Sequence, residues 1–156
     1  MSFEWVDYLR YGVLAVFSFA CIFTDLRSRQ IYNTLTLPVL VFALLSAVFT
    51  GRQGGIFSSV TGAILGAVLF LPGALLGKTG AGDLKLSAAL GALLGWKLLL
   101  IALTGAGIAT LIIVIIVKIR GYKNKPAEFP LGVILSAAAF MAGLISFYGF
   151  TPDRYF

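Results

Sequence analysis

Residues 84–117 read LKLSAALGALLGWKLLLIALTGAGIATLIIVIIV, an apolar tract broken by charge only at Lys85 and Lys97. A helix rises about 1.5 Å per residue and the hydrocarbon core of a bilayer is about 30 Å thick, so about 20 residues cross it once. The tract is long enough for two passes, and what matters is where it turns. A turn at Thr104-Gly105-Ala106-Gly107 would leave Lys97 near mid-membrane, at a cost of about 3 kcal/mol. A turn at Gly95-Trp96-Lys97 brings that ammonium to the surface and is the one expected. It makes the first pass short, because residues 84–94 cover only roughly 17 Å. The start of that helix is then recessed below the membrane surface. Irregular backbone at such depth is tolerated only inside protein or beside a wet cavity. Residues 77–83, Gly-Lys-Thr-Gly-Ala-Gly-Asp, have that irregular character.

The same apolar character fills the rest of the chain, which is 60% hydrophobic and 12% charged over 156 residues, with mean hydropathy +1.00. A water-soluble domain of this size would not tolerate that balance. Cutting at charges, glycine clusters and prolines leaves further stretches at about 5–24, 34–50, 56–77 and 130–150, the third with a late kink expected at Pro72. The expectation is an all-α, polytopic membrane protein with about six transmembrane helices, a single integral-membrane domain over residues 1–156. Glu4 and Asp7 precede the first stretch in place of a basic region, and no small-residue cleavage site follows it. It reads as a retained span and not as a signal peptide.

Six passes sort the loops into two sets. One carries Arg27, Arg29, Lys78, Lys85, Lys118, Arg120, Lys123 and Lys125, while the other holds Arg10, Arg52, Lys97 and Arg154. The excess of basic residues marks the first set as cytoplasmic, which places the N- and C-termini outside and the chain in the cytoplasmic membrane. The formal charge of +6 is thus read as topogenic. The aromatics lie inside apolar stretches, so no nucleic-acid partner is expected. The cluster from Lys118 to Lys125 suits anionic lipid headgroups.

Composition also limits the chemistry. There is no histidine, and Cys21 is the one cysteine. Zinc sites built on His or paired Cys, and Ser-His or Cys-His nucleophiles, are excluded within the one chain; no metal and no cofactor is expected. Two acids stand apart. Asp25 closes one apolar helix and Asp83 opens another, and a charge at the edge of the bilayer is a functional hypothesis in its own right. Two carboxylates converging on one wet pocket can share a proton, one acting as base on a water and the other as acid. The bland alternative is a pair of boundary charges matched by Arg27, Arg29 or Lys85.

The residues around these acids carry a resemblance. Asp25-Leu-Arg-Ser-Arg-Gln-Ile31-Tyr-Asn33 resembles the D-x5-I-x-N segment of type IV prepilin peptidases. Gly80-Ala81-Gly82-Asp83-Leu84-Lys85 resembles their GxGD-x-K segment, and Phe129-Pro130-Leu131-Gly132 the aromatic-Pro-x-Gly segment that opens their last helix. Three segments in order, with the expected spans, extend the resemblance over essentially the whole chain. It implies an intramembrane-type aspartyl endopeptidase that removes the basic leader peptide from prepilin-like proteins at the cytoplasmic membrane face, with Asp25 and Asp83 as the catalytic pair. The four-cysteine, zinc-binding loop of longer bifunctional members is absent from this sequence. The resemblance is therefore to the short peptidase-only branch that serves tight-adherence pili or archaeal flagella and pili.

The neighbouring residues invite roles in that site. Gly80 and Gly82 are expected to take positive φ or to allow close backbone approach, or else simply to form a turn. Lys85 either holds a carboxylate ionised or snorkels to headgroups. Asn33 either bonds to the Asp25 loop or caps the second helix, and capping is the preferred reading. Glu128, the remaining cytoplasmic acid, is a candidate contact for a basic leader. The Gly62/Gly66, Gly73/Gly77 and Gly91/Gly95 spacings are expected to serve internal helix packing more than dimerisation. Rivals from other classes are a small transporter using the two acids as a cation or proton site, a non-catalytic pilus-assembly scaffold, and a presenilin-like protease. No internal repeat of the kind common in transporters is visible between the halves of the chain.

Overall fold

The computed structural model describes residues 4–28, 32–49, 55–76, 80–119 and 131–148. They form five helices: α1 (Glu4–Ser28), α2 (Asn33–Phe49), α3 (Gly55–Leu75), α4 (Ala81–Ile119) and α5 (Leu131–Phe147). Three of these, over Trp5–Ser28, Gly55–Leu75 and Ala81–Ile116, are long and apolar enough to cross a membrane, and α2 and α5 are shorter apolar helices. The protein is an all-helical, membrane-like bundle.

Five elements stand where about six helices were expected, because the tract read as two passes is one element, α4, made of two helices that meet at Gly95. That residue has φ 76° and ψ 169°, a left-handed conformation that glycine adopts without the steric cost a Cβ imposes. The interruption is a sharp bend. A straight helix would carry residue 99 about 12 Å along the axis from residue 91. Instead, a Cβ built on Gly91 would stand 3.0 Å from Leu99 Cδ2, so the chain folds back at Gly95. The bend falls at the earlier of the two candidate turns, and Lys97 is exposed beside it, 5.9 Å from the centroid of the Trp96 ring.

Glycines also set the tightest packing. A Cβ on Gly62 would run into the Gly91 carbonyl, one on Gly66 into the Ser87 carbonyl, and one on Gly91 into the Gly62 carbonyl. Helices α3 and α4 thus meet backbone to backbone, and the Gly62/Gly66 and Gly91/Gly95 spacings are used inside the chain. Apolar side chains fill the centre, among them Leu14, Phe17, Leu86, Leu90 and Leu135. The outer faces carry large apolar residues such as Phe19, Phe23, Leu45, Leu69 and Ile112. An apolar exterior around a packed interior is stable only against a nonpolar solvent, here lipid tails.

Arg10 holds the far end together. Read from sequence as an outer-surface charge, it is 9% exposed. Its guanidinium donates to Ala43 O (3.1 Å), Ser46 Oγ (3.2 Å), Ser59 Oγ (3.0 Å), Ala92 O (2.8 Å) and Leu93 O (2.8 Å). The last two acceptors explain its position. A helix leaves its last four carbonyls without intrahelical partners, and the break at Gly95 creates such an end in mid-bundle. Arg10 supplies donors and a positive charge at the negative end of that half-helix.

Candidate active site

Helix α1 runs four residues past the apolar stretch read from sequence, so Asp25 lies inside its last turn instead of closing it. The polar residues there are satisfied locally. Thr24 Oγ1 donates to Ala20 O (3.0 Å) and Cys21 O (3.1 Å), and Ser28 Oγ to Thr24 O (2.9 Å). Asp25 itself is buried, 7% exposed. Its Oδ2 accepts a 3.0 Å hydrogen bond from the backbone N–H of Val133. Helix α5 begins at Leu131, so this N–H is one of the donors that a helix start leaves unpaired. A carboxylate from another helix serves as its cap, at the positive end of the helix dipole. The start of α5 is thereby linked in space to Asp25.

Asp83 stands in the first turn of α4, with its backbone N–H donating to Gly80 O at 3.0 Å. It is partly buried, and its charge interacts with that of Asp25. The two acids singled out from sequence, on α1 and α4, thus lie within electrostatic reach of each other. Asp83 Oδ2 lies 4.0 Å from where a Cβ on Gly80 would sit. That is ordinary contact and leaves a small side chain at 80 tolerable in this state. The expectation of positive φ at Gly80 and Gly82 is corrected: among the described residues Gly95 is the positive-φ glycine, and Gly82 is within the helix. A helix that starts as early as Ala81 removes the need for a left-handed residue there.

Lys85 and Asn33 meet each other. Lys85 Nζ donates to Asn33 Oδ1 at 2.8 Å, a contact that joins the D-x5-I-x-N and GxGD-x-K segments directly. The preferred reading of Asn33 as cap of α2 gives way to this bond. The first turn of α2 closes instead on the Tyr32 carbonyl, which accepts from Leu35 N (3.0 Å) and Thr36 N (3.3 Å). Glu128 lies outside the described residues, as do Arg29, Lys78 and the basic residues after Lys118. No group of three or more metal-ligating side chains occurs among the described residues.

Sequence reasoning missed Arg10 and the Val133 N–H. For Arg10 a signal was present, since an arginine within an apolar helix is costly unless it faces the bundle interior. The Val133 donor is a backbone group and carries no residue-type signal.

The model of the type IV leader peptidase family matches residues 12–115, about two thirds of the chain, a span that contains Asp25, Asn33, Asp83 and Lys85. The chain belongs to the type IV leader peptidase family. No match was found among curated proteins or among solved structures. Membership makes the protein a peptidase. The match ends before the segment at residues 129–132, so the link between Asp25 and the start of α5 comes from the structure alone.

Proposed function

We propose that the protein is a membrane aspartyl endopeptidase that cuts the basic leader from type IV prepilin-like precursors at the cytoplasmic face of the cell membrane. The observation that supports this reading is that Asp25, in the last turn of α1, and Asp83, in the first turn of α4, lie close enough for their charges to interact. One carboxylate takes a proton from water as the water oxygen bonds to the scissile carbonyl carbon. The other, protonated, gives its proton to the leaving nitrogen as the C–N bond breaks. The chemistry needs neither metal nor cofactor, and the donor set, with no histidine and one cysteine, suits that route.

The proposed topology counts the bend at Gly95 as a reversal, giving six passes with both termini outside. The Asp25 end of α1 and the Asp83 end of α4 then lie on the cytoplasmic side, where an unexported leader is found. Asn33, Lys85, Gly80 and Gly82 support the pair, Glu128 contacts the basic leader, and Lys118 with its basic neighbours meets anionic headgroups. The test is a gel-shift assay with a prepilin-type substrate from the same genome. Wild-type protein is expected to shorten it, and Asp25→Asn and Asp83→Asn protein to insert normally and cut nothing. Cleavage retained in either variant would remove the two-aspartate assignment.

A further inference from the structure

A hydroxyl group on a helix can donate to the carbonyl one turn back. Thr24, Thr61, Thr104 and Thr110, half-buried or exposed, do so in this chain, as does the buried Ser46. Four others do not: Ser18, Thr36, Ser87 and Ser136 are each 2% exposed or less, and their oxygens have no hydrogen-bond partner in the protein. A buried hydroxyl left unsatisfied costs about 1–3 kcal/mol. Four on four different helices is a pattern that chance packing does not explain.

Their level in the bundle is fixed by the links at the site. The Asp25–Val133 and Asn33–Lys85 bonds set the registers of α1 against α5 and of α2 against α4. Ser136 follows Val133 by one turn, Thr36 follows Asn33 by one turn and Ser87 follows Asp83 by one turn, so each lies about 4.5–6 Å deeper than its partner at the site. Ser18 lies about 10 Å beneath Asp25. From the side of α3, Gly66 presents no side chain, and a Cβ there would stand 3.0 Å from Ser87 Oγ. Thr36, Ser87 and Ser136 thus stand at a similar depth on their helices, about one turn below the site residues. Buried water typically makes about three hydrogen bonds to otherwise unsatisfied groups, and each of these oxygens is such a group.

We infer that Thr36, Ser87 and Ser136, with Ser18 a level deeper, bind ordered water beneath Asp25 and Asp83, and that this layer supplies the water consumed at each hydrolysis. The inference rests on the peptidase reading for its second half only. Hydrolysis takes one water per bond cut, from a site sunk in lipid-facing protein, and a substrate strand laid across the carboxylates would close the cytoplasmic route to them. Water stored on the membrane side stays in reach of the pair while substrate is bound.

The test uses full-length protein in detergent, comparing wild type with Thr36→Val, Ser87→Ala, Ser136→Ala and the Thr36→Val/Ser87→Ala double variant. Thr36→Val conserves volume, so its effect on Tm reads the hydroxyl and not a cavity. Each substitution is expected to lower Tm, and the double variant to lower kcat on a prepilin substrate roughly tenfold with KM within about twofold, the signature of a group acting in the chemical step. A raised or unchanged Tm would overturn the water layer, because replacing a dry, unpaired hydroxyl by an apolar group is neutral or stabilising. A lowered Tm with unchanged kcat would overturn the supply role. If wild-type protein cuts no prepilin, the peptidase reading fails by itself, and the sign of the Tm change still decides whether water is bound.

Discussion

In the proposed peptidase Asp25 has two tasks that ordinary mutagenesis would confuse. Its Oδ2 caps the start of α5 through Val133 N–H at 3.0 Å, and it shares the site with Asp83. Asparagine keeps an oxygen acceptor for the Val133 N–H but gives up the acid-base chemistry, whereas alanine loses both. Asp25→Asn is therefore expected to keep nearly wild-type Tm while cleavage falls by about 10²-fold or more. Asp25→Ala is expected to lose the same activity and, in addition, about 1 kcal/mol of stability for the missing cap. Thermal melts of the two purified variants, beside the gel-shift assay, check this; equal Tm values would show that the cap contributes nothing. At this scale the sequence was informative where the residue type itself carries the chemistry. Asp25 and Asp83 were legible, and so was a partnership for Asn33 and Lys85 with something nearby. That they pair with each other across 52 positions was not, because a lysine and an asparagine have many admissible partners and spacing does not choose between them. The roof over Asp25 was less legible still, since its donor is a peptide N–H 108 positions away.

Among the helices, the glycines divide into those that hold the bundle together and those that do not. A Cβ on Gly62 would collide with the Gly91 carbonyl, while one on Gly105 or Gly107 would meet nothing within 4 Å. Gly62→Ala is accordingly expected to force α3 from α4 and destabilise by about 1–3 kcal/mol as overpacking against rigid backbone. Gly105→Ala is expected to be neutral or to stabilise by up to about 1 kcal/mol through helix propensity. Denaturation of the two variants in detergent measures the contrast, and a Gly105→Ala protein less stable than Gly62→Ala would refute the packing account. The helix spacing of the glycines was readable in advance, as was the break at Gly95, which the cost of burying Lys97 located. That the two halves of α4 join without a loop was not, because a single glycine is enough to fold the chain back. Nor was the inward turn of Arg10. Its acceptors are carbonyls and serine hydroxyls on α2, α3 and α4, and the two carbonyls on α4 become available only once the bend at Gly95 has freed them.

Taken whole, the molecule is polarised along the axis of its bundle. The carboxylates and the Lys85–Asn33 bond occupy one end, and the opposite end carries an aromatic cluster in which Tyr8 and Tyr11 meet Phe147 edge-on, at 5.8 and 5.7 Å between ring centroids. Tyr11 Oη also shares a 2.7 Å hydrogen bond with Ser146 Oγ. Amphipathic rings gather where hydrocarbon meets water, so the proposed topology sets this end and the carboxylate end at opposite interfaces of the bilayer. In the proposed topology the carboxylate end is the cytoplasmic one, from the excess of basic residues in the sequence segments assigned to that side. Cys21 makes the assignment measurable: it is fully buried, so a membrane-impermeant maleimide has no native thiol to reach and reports only on introduced ones. Tyr148 and Ser28 are both exposed, the first at the aromatic end of α5 and the second at the carboxylate end of α1. In intact cells, Tyr148→Cys protein is expected to label from outside, and Ser28→Cys protein only after the membrane is permeabilised. The reverse pattern would put the carboxylates on the outer face, away from any leader awaiting export, and would remove the proposed substrate while leaving the fold untouched.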